Sequence, residues 1–224
     1  MAPSPVAAPP HVHALLKDLH ARSLEEESHL PSPMPLRCTP EFDDIMKDKF
    51  IALDQDKCEF VYQMLRAIGA KTVVEAGTSF GVSTIYLALA VTQNTAGSSP
   101  GKVIATENEP DKANKAIEHW SQAGDSVKSV IDLRLGDLRE TLKKDLGIVD
   151  FLLLDIWIPL ALPALKLVQP SMRPGAVIVV DNTTDNSLSY ADLFAYTDAP
   201  GSGFRRLAMP YSGGLEFMVY HPDN

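Results

Sequence analysis

The sequence predicts an α/β protein. Its core is one doubly wound, mostly parallel sheet of seven strands, with an antiparallel C-terminal hairpin and an N-terminal helical cap. Three observations predict it. From Lys71 onward, five short β-rich runs alternate with helical stretches. Those runs are continuously apolar, which marks strands buried on both faces of a parallel sheet. The last two runs, "GFRRLAMPY" and "GGLEFMVYH", flank Ser212-Gly213-Gly214 and read as an antiparallel pair. Strand–helix units in succession imply right-handed crossovers. A chain of 224 residues, 45% of them hydrophobic, suits one core better than two.

Taken in order, residues 1–10 are rich in Pro and Ala and are expected to form a loose tail. In "HVHALLKDLHARSLEEES", Val12, Leu15, Leu16 and Leu19 recur at helical spacing. "PSPMPLRCTP" ends that helix, because its four prolines cannot continue one. "EFDDIMKDKFIALDQDKCEFVYQMLRAIGA" is helical again, in two pieces, and stops at Gly69. Then come the pairs of strand and helix: "TVVEA" and "GVSTIYLALAV", "KVIATE" and "PDKANKAIEHWSQAG", "VIDLRLG" and "DLRETLKKDL", "VDFLLLD" and "LALPALKLVQPSM", "GAVIVVD" and "SLSYADLFAYTD". The expected organisation is one domain over residues 11–224, with residues 11–70 as the helical cap and 71–224 as the sheet-bearing core.

Composition narrows the partners. The net charge is −9 and no Lys/Arg-rich run occurs, which argues against nucleic acid, whose binding rests on cationic contacts. A small molecule fits better. The two cysteines, Cys38 and Cys58, stand apart from any Cys/His cluster, so zinc is not expected and reduced thiols are. "MAPSPVAAPP" lacks the basic and apolar regions of a signal peptide, and no apolar run is long enough to span a bilayer. The expectation is a cytoplasmic protein without membrane contact.

Ligands of open parallel sheets bind at the carboxyl ends of the strands. An acid stands at or beside each of the five ends: Glu75, Glu107, Asp137 after Gly136, Asp155 and Asp181. After the first strand comes "EAGTSFGVST". It lacks the lysine of a P-loop and the paired glycines of a dinucleotide fingerprint. A carboxylate beside the turn suits a ligand that is neutral or cationic there. Glu107, 30 residues past Gly77, is placed to accept the hydroxyls of a ribose. A cationic nucleoside without phosphates is S-adenosylmethionine (SAM).

"VVEAGTSFGVSTIYLA", "IATENEPDKA", "FLLLDIW" and "VIVVDN" together resemble the class I SAM-dependent methyltransferases, and among them the small metal-dependent O-methyltransferases of the catechol type. The likeness covers about residues 50–185. It implies a Rossmann-like fold and methyl transfer from SAM to an oxygen of a small, aromatic acceptor. By resemblance, Gly77, Ser79 and Gly81 approach the methionine part and Glu75 lies near its ammonium. Thr78 and Ser83 hydrogen-bond its carboxylate, and Glu107 with Asn108 holds the ribose. Gly136 and Asp137 lie by the adenine, and Trp157 stacks on it. Asp155, Asp181 and Asn182 bind a divalent cation, for which oxygen ligands suit Mg²⁺. Asp155 and Lys57 are the candidate catalytic residues, and a homodimer through the N-terminal helices is expected.

One departure stands out. The catechol enzymes carry a lysine, the base, three residues after the strand-4 Asp; here "DIWIP" places Ile158 there. Lys57, in "LDQDKCEF", lies near the site in the family pattern. The missing lysine keeps two alternatives open: a metal-independent N- or O-methyltransferase, and a SAM-binding protein without turnover. Plainer readings stand beside the functional ones. Asp137, Asp155 and Asp181 are each suited to cap a helix, Trp157 to fill the core, and the six histidines to lie on the surface. The acceptor pocket falls to "TPEFDDIMKDKF" and "TTDNSLSY".

Overall fold

The computed structural model describes residues 4–35, 39–184 and 187–222. Seven strands form one sheet in the order β3-β2-β1-β4-β5-β7-β6. They are β1 (Thr72–Ala76), β2 (Lys102–Glu107), β3 (Ile131–Leu135), β4 (Val149–Leu154), β5 (Met172–Asp181), β6 (Phe204–Met209) and β7 (Leu215–Tyr220). β1 to β5 pair in parallel, and β7 lies antiparallel between β5 and β6. The hairpin therefore joins the sheet through its second strand, and β6 is the outer edge.

The apolar runs of β1, β2, β4 and β5 are explained by burial on both faces, whereas the edge strand β3, with Asp132 and Arg134, is only partly buried, which corrects the expectation of a continuous apolar run there. Val73, Val103, Phe151 and Val179 point into one core, whereas Val74, Ile104, Leu152 and Ile178 point into the other. The first core is closed by α1 (Pro10–Ser28), α3 (Gln55–Ile68), α4 (Val82–Asn94) and α5 (Pro110–Ala123). The second is closed by α7 (Leu138–Thr141), α8 (Ile158–Val168) and α9 (Ala191–Thr197). A short α2 (Pro40–Met46) and α6 (Asp125–Lys128) complete the α-helices of the described residues, and one 3-10 turn spans Gln169–Ser171. α2 and α3 are the two expected pieces, and α3 stops at Gly69 in the left-handed region, a common C-terminal signal.

Several expectations are corrected. Within the expected loose tail 1–10, Val6 is buried at 3% exposure and the Ala7 N–H donates to Tyr62 Oη, while Ser4, Pro5, Ala7 and Pro9 are exposed. "DLRETLKKDL" yields only the single turn of α7, because Arg134 takes the Thr141 and Lys144 carbonyls. His20 and His119 are buried, not on the surface. His20 Nε2 pairs with Tyr86 Oη at 2.9 Å, and His119 Nδ1 meets the Phe80 carbonyl at 2.8 Å. Cys58 is a free buried thiol whose pKa burial pushes well up; Cys38 lies outside the described residues. No helix of the described residues is long and apolar enough to cross a membrane.

Candidate active site

The carboxyl ends of β1 to β5 open into one cleft of about 840 Å³. Gly77, Ser79, Glu107, Asn108, Gly136, Asp137, Asp155, Trp157, Asp181 and Asn182 all line it, as does Lys57 from α3. Phe42, Asp43, Asp44, Met46 and Lys47 of the "TPEFDDIMKDKF" segment form another wall. Of the "TTDNSLSY" loop, Tyr190 reaches the cleft; residues 185–186 lie outside the described residues.

The first turn is fixed by close approach. A Cβ on Gly77 would lie 1.9 Å from the Asp155 carbonyl oxygen, and one on Gly81 2.4 Å from Trp120 Nε1. Both glycines have positive φ, at 96° and 77°. Trp120 donates to the Gly81 carbonyl at 3.0 Å. Thus α5 clamps the turn through His119 and Trp120, a role that sequence reasoning missed. The apolar spacing of α5 marked a buried face, but nothing local said that this face carried donors for the turn.

Glu75 is fully buried and does not line the cleft. It accepts hydrogen bonds from Thr78 Oγ1 (2.8 Å), Ser83 Oγ (2.6 Å) and Thr84 Oγ1 (2.6 Å). A hydroxyl has one proton to give. Thr78 and Ser83 therefore give theirs to Glu75, so a ligand carboxylate would have to win these protons from it. Burial raises the Glu75 pKa, and the three hydroxyls pull the other way.

Glu107 organises the opposite side. Its carboxylate accepts from the backbone N–H groups of Ser79 (2.7 Å), Asn108 (2.8 Å) and Glu109 (2.9 Å). It ties the β1 turn to the β2 end while still facing the cleft. Asp137 caps α7 through the Arg139 N–H and also meets the Arg139 guanidinium at 2.6 Å, which holds its carboxyl below the usual range. The capping reading holds, and Asp137 lines the cleft as well. Trp157 is not core: it is 38% exposed, edge-on to Phe42 with centroids 5.5 Å apart.

At the end of β5, Asp181 and the α3 N-cap Asp54 meet one ammonium. Lys57 Nζ lies 2.7 Å from Asp181 Oδ1 and 3.0 Å from Asp54 Oδ2. Asn182 Nδ2 donates to the other Asp181 oxygen at 2.7 Å. The Asp155 side chain has no hydrogen-bond partner among the described residues. Burial first, then Asp181, drives the Asp155 pKa well up. For Lys57, burial opposes the charge but Asp181 and Asp54 outweigh it and raise the pKa. The cation set implied by resemblance, Asp155, Asp181 and Asn182, does not fit a metal in this arrangement. Both Asp181 oxygens are engaged, one of them by a positive charge, and the Asn182 amide presents its donor. Among the described residues no group of three or more His, Cys, Asp or Glu is placed to hold an ion.

Comparison with known proteins agrees with this architecture. Residues 74–183 match a family described as "Methyltransferase domain". A catechol O-methyltransferase of Niastella koreensis is 27% identical over 136 residues, 59% of this chain and 58% of that protein's length. Among solved structures, cofactor-bound Rv0187 from MTB superposes with TM-score 0.70 at 22% identity, covering 96% of this chain and 91% of its own. An O-methyltransferase from Bacillus cereus in complex with SAH gives 0.65 at 18%, covering 96% and 92%. TomG of Streptomyces achromogenes, an O-methyltransferase in complex with SAM, gives 0.66 at 17%, with the same coverage.

Proposed function

We propose that this chain is a class I SAM-dependent methyltransferase that transfers a methyl group from SAM to an oxygen of a small, aromatic acceptor, a reading supported by its fold and by the matched methyltransferase domain. The observation that carries the reading is the single cleft in which the glycine turn, Glu107, Asp137, Trp157 and Asp155 converge from four strand ends. The relatives named as O-methyltransferases support oxygen as the acceptor atom.

Glu107 takes a ribose hydroxyl, since its carboxylate is already aimed by three N–H groups and Oε2, which accepts one of them, keeps one further lone pair. Trp157 offers a face for the adenine. The methionine carboxylate takes the N-terminus of α4, where Gly81 brings no capping side chain and the first-turn N–H groups lack intrahelical partners. The acceptor ring lies against Phe42, Met46 and Leu160, at the apolar side of the cleft.

The acceptor oxygen attacks the methyl carbon in line with the departing sulfur. A C–O bond forms, the C–S bond breaks with its electron pair moving to sulfur, and a neutral thioether leaves. The hydroxyl proton passes to the unpartnered carboxylate of Asp155. Holding the two reactants in one cleft supplies most of what such a displacement needs. Calorimetric titration with SAM tests the reading: saturable binding is expected, weakened by Glu107→Ala, and no saturable binding at millimolar SAM overturns it. Transfer of labelled methyl across a panel of phenols then identifies the acceptor.

A further inference from the structure

Two features of the cleft point to the same side chain. A lysine is missing at Ile158, and the Asp181 carboxylate that would serve a divalent ion is occupied. Lys57 answers to both. It arrives from α3, 124 residues from Asp181 in sequence, with its side chain 2% exposed, and it pairs with Asp181 and Asp54 at once. A divalent ion placed on Asp181 Oδ1 would sit against this ammonium and be repelled by it. Burial strengthens that repulsion, because little water is left to screen it.

We propose that the Lys57 ammonium is the resident cation of this site, standing where a divalent ion would sit on Asp181, and that methyl transfer proceeds without metal. This rests on the methyltransferase reading above. An ammonium has three N–H donors. Asp181 and Asp54 take two, which leaves the third for the acceptor oxygen. As the hydroxyl proton moves to Asp155, the growing negative charge on that oxygen is held by the third N–H. The C–O bond forms, the C–S bond breaks, and the thioether leaves. Lys57 begins and ends the step as an ammonium, so no co-reactant is needed.

The test reads metal binding directly. Free Mn²⁺ is followed by electron paramagnetic resonance during titration of the wild type, Lys57→Ala and Lys57→Arg, with circular dichroism to verify folding. The wild type and Lys57→Arg should leave the Mn²⁺ signal unchanged at millimolar metal. Lys57→Ala should gain a single site at least tenfold tighter than any residual wild-type binding. Stoichiometric Mn²⁺ binding by the wild type, lost in Asp181→Asn, overturns the inference, and so does a folded Lys57→Ala that binds none. Should Lys57→Ala fail to fold, the wild-type and Lys57→Arg titrations decide. Methyl transfer to any phenol found active should run equally in EDTA and in Mg²⁺, and a loss in EDTA overturns the inference too. Absence of SAM binding sinks the methyltransferase reading without altering the Mn²⁺ result, so the two failures are distinguishable.

Discussion

Two buried acids, at the ends of strands that flank β4, are satisfied in opposite ways. Glu75, at the end of β1, is held by three neutral hydroxyls that follow it within nine residues. Asp181, at the end of β5, is held by a full charge from α3 and by the amide next to it. The first arrangement is local and makes a rigid turn. The second joins the helical cap to the sheet at the floor of the cleft. The difference teaches where each element has leverage. Neutral donors can hold an acid for structure alone, whereas an ammonium brought into a ligand cleft also sets its charge.

The change with the largest expected effect breaks both regions together. Gly77→Ala drives a Cβ into the Asp155 carbonyl, a backbone atom that cannot swing aside. The expected loss is at least about 4 kcal/mol of stability, read by chemical denaturation. A variant as stable as the wild type would show that the β1 and β4 ends are not in tight contact. Next is Lys57→Met, which leaves Asp181 without its charge partner. Breaking a buried pair from one side costs about 3–5 kcal/mol, and an unfolding midpoint close to that of the wild type would remove the ion pair from the account.

Glu75→Gln keeps the shape but lets fewer hydroxyls donate, so a smaller loss of about 1–2 kcal/mol is expected. Its signature lies in the pH dependence. Burial raises the folded pKa of Glu75 above 4.5, so in the window from 4.5 up to that folded value the native state binds more protons than the unfolded one. Native stability therefore falls as pH rises through this window. Glu75→Gln should flatten that slope in melting curves, and an unchanged slope would assign it to Asp155. Smallest for stability is Trp157→Ala, within about 0.5 kcal/mol because the ring is partly exposed. Its effect should appear in SAM affinity, with about 0.5–1.5 kcal/mol lost in a calorimetric titration. Unaltered affinity would release Trp157 from the cofactor's side of the cleft.

Much of this was legible without coordinates. The five parallel strands, the C-terminal pair and the breaks at Gly69 and the proline-rich segment follow from hydrophobic runs and from residues with few backbone options. The strand-end acids Glu107, Asp137, Asp155 and Asp181 were visible because each stands at or beside the end of a β-rich run. The clamp of His119 and Trp120 was not, since hydrogen bonds from α5 to the Phe80 and Gly81 carbonyls have no local pattern. Nor was the diversion of the Thr78 and Ser83 hydroxyls: spacing places them near Glu75, but only the buried geometry shows that they point at it and not outward.

What the sequence by itself determined is the order of elements, the two-faced burial of the sheet and the set of acids at its carboxyl edge. These follow from residue type and period alone, because an apolar strand has nowhere to go but between two layers. What the tertiary structure decided is the charge state of the cleft floor. Lys57 and Asp181 are 124 residues apart, and no rule of spacing brings a side chain of the cap onto the end of β5. Only packing α3 against α4 and the sheet delivers the ammonium there. Once it is buried beside two carboxylates, the low polarity around it makes that contact dominate the site.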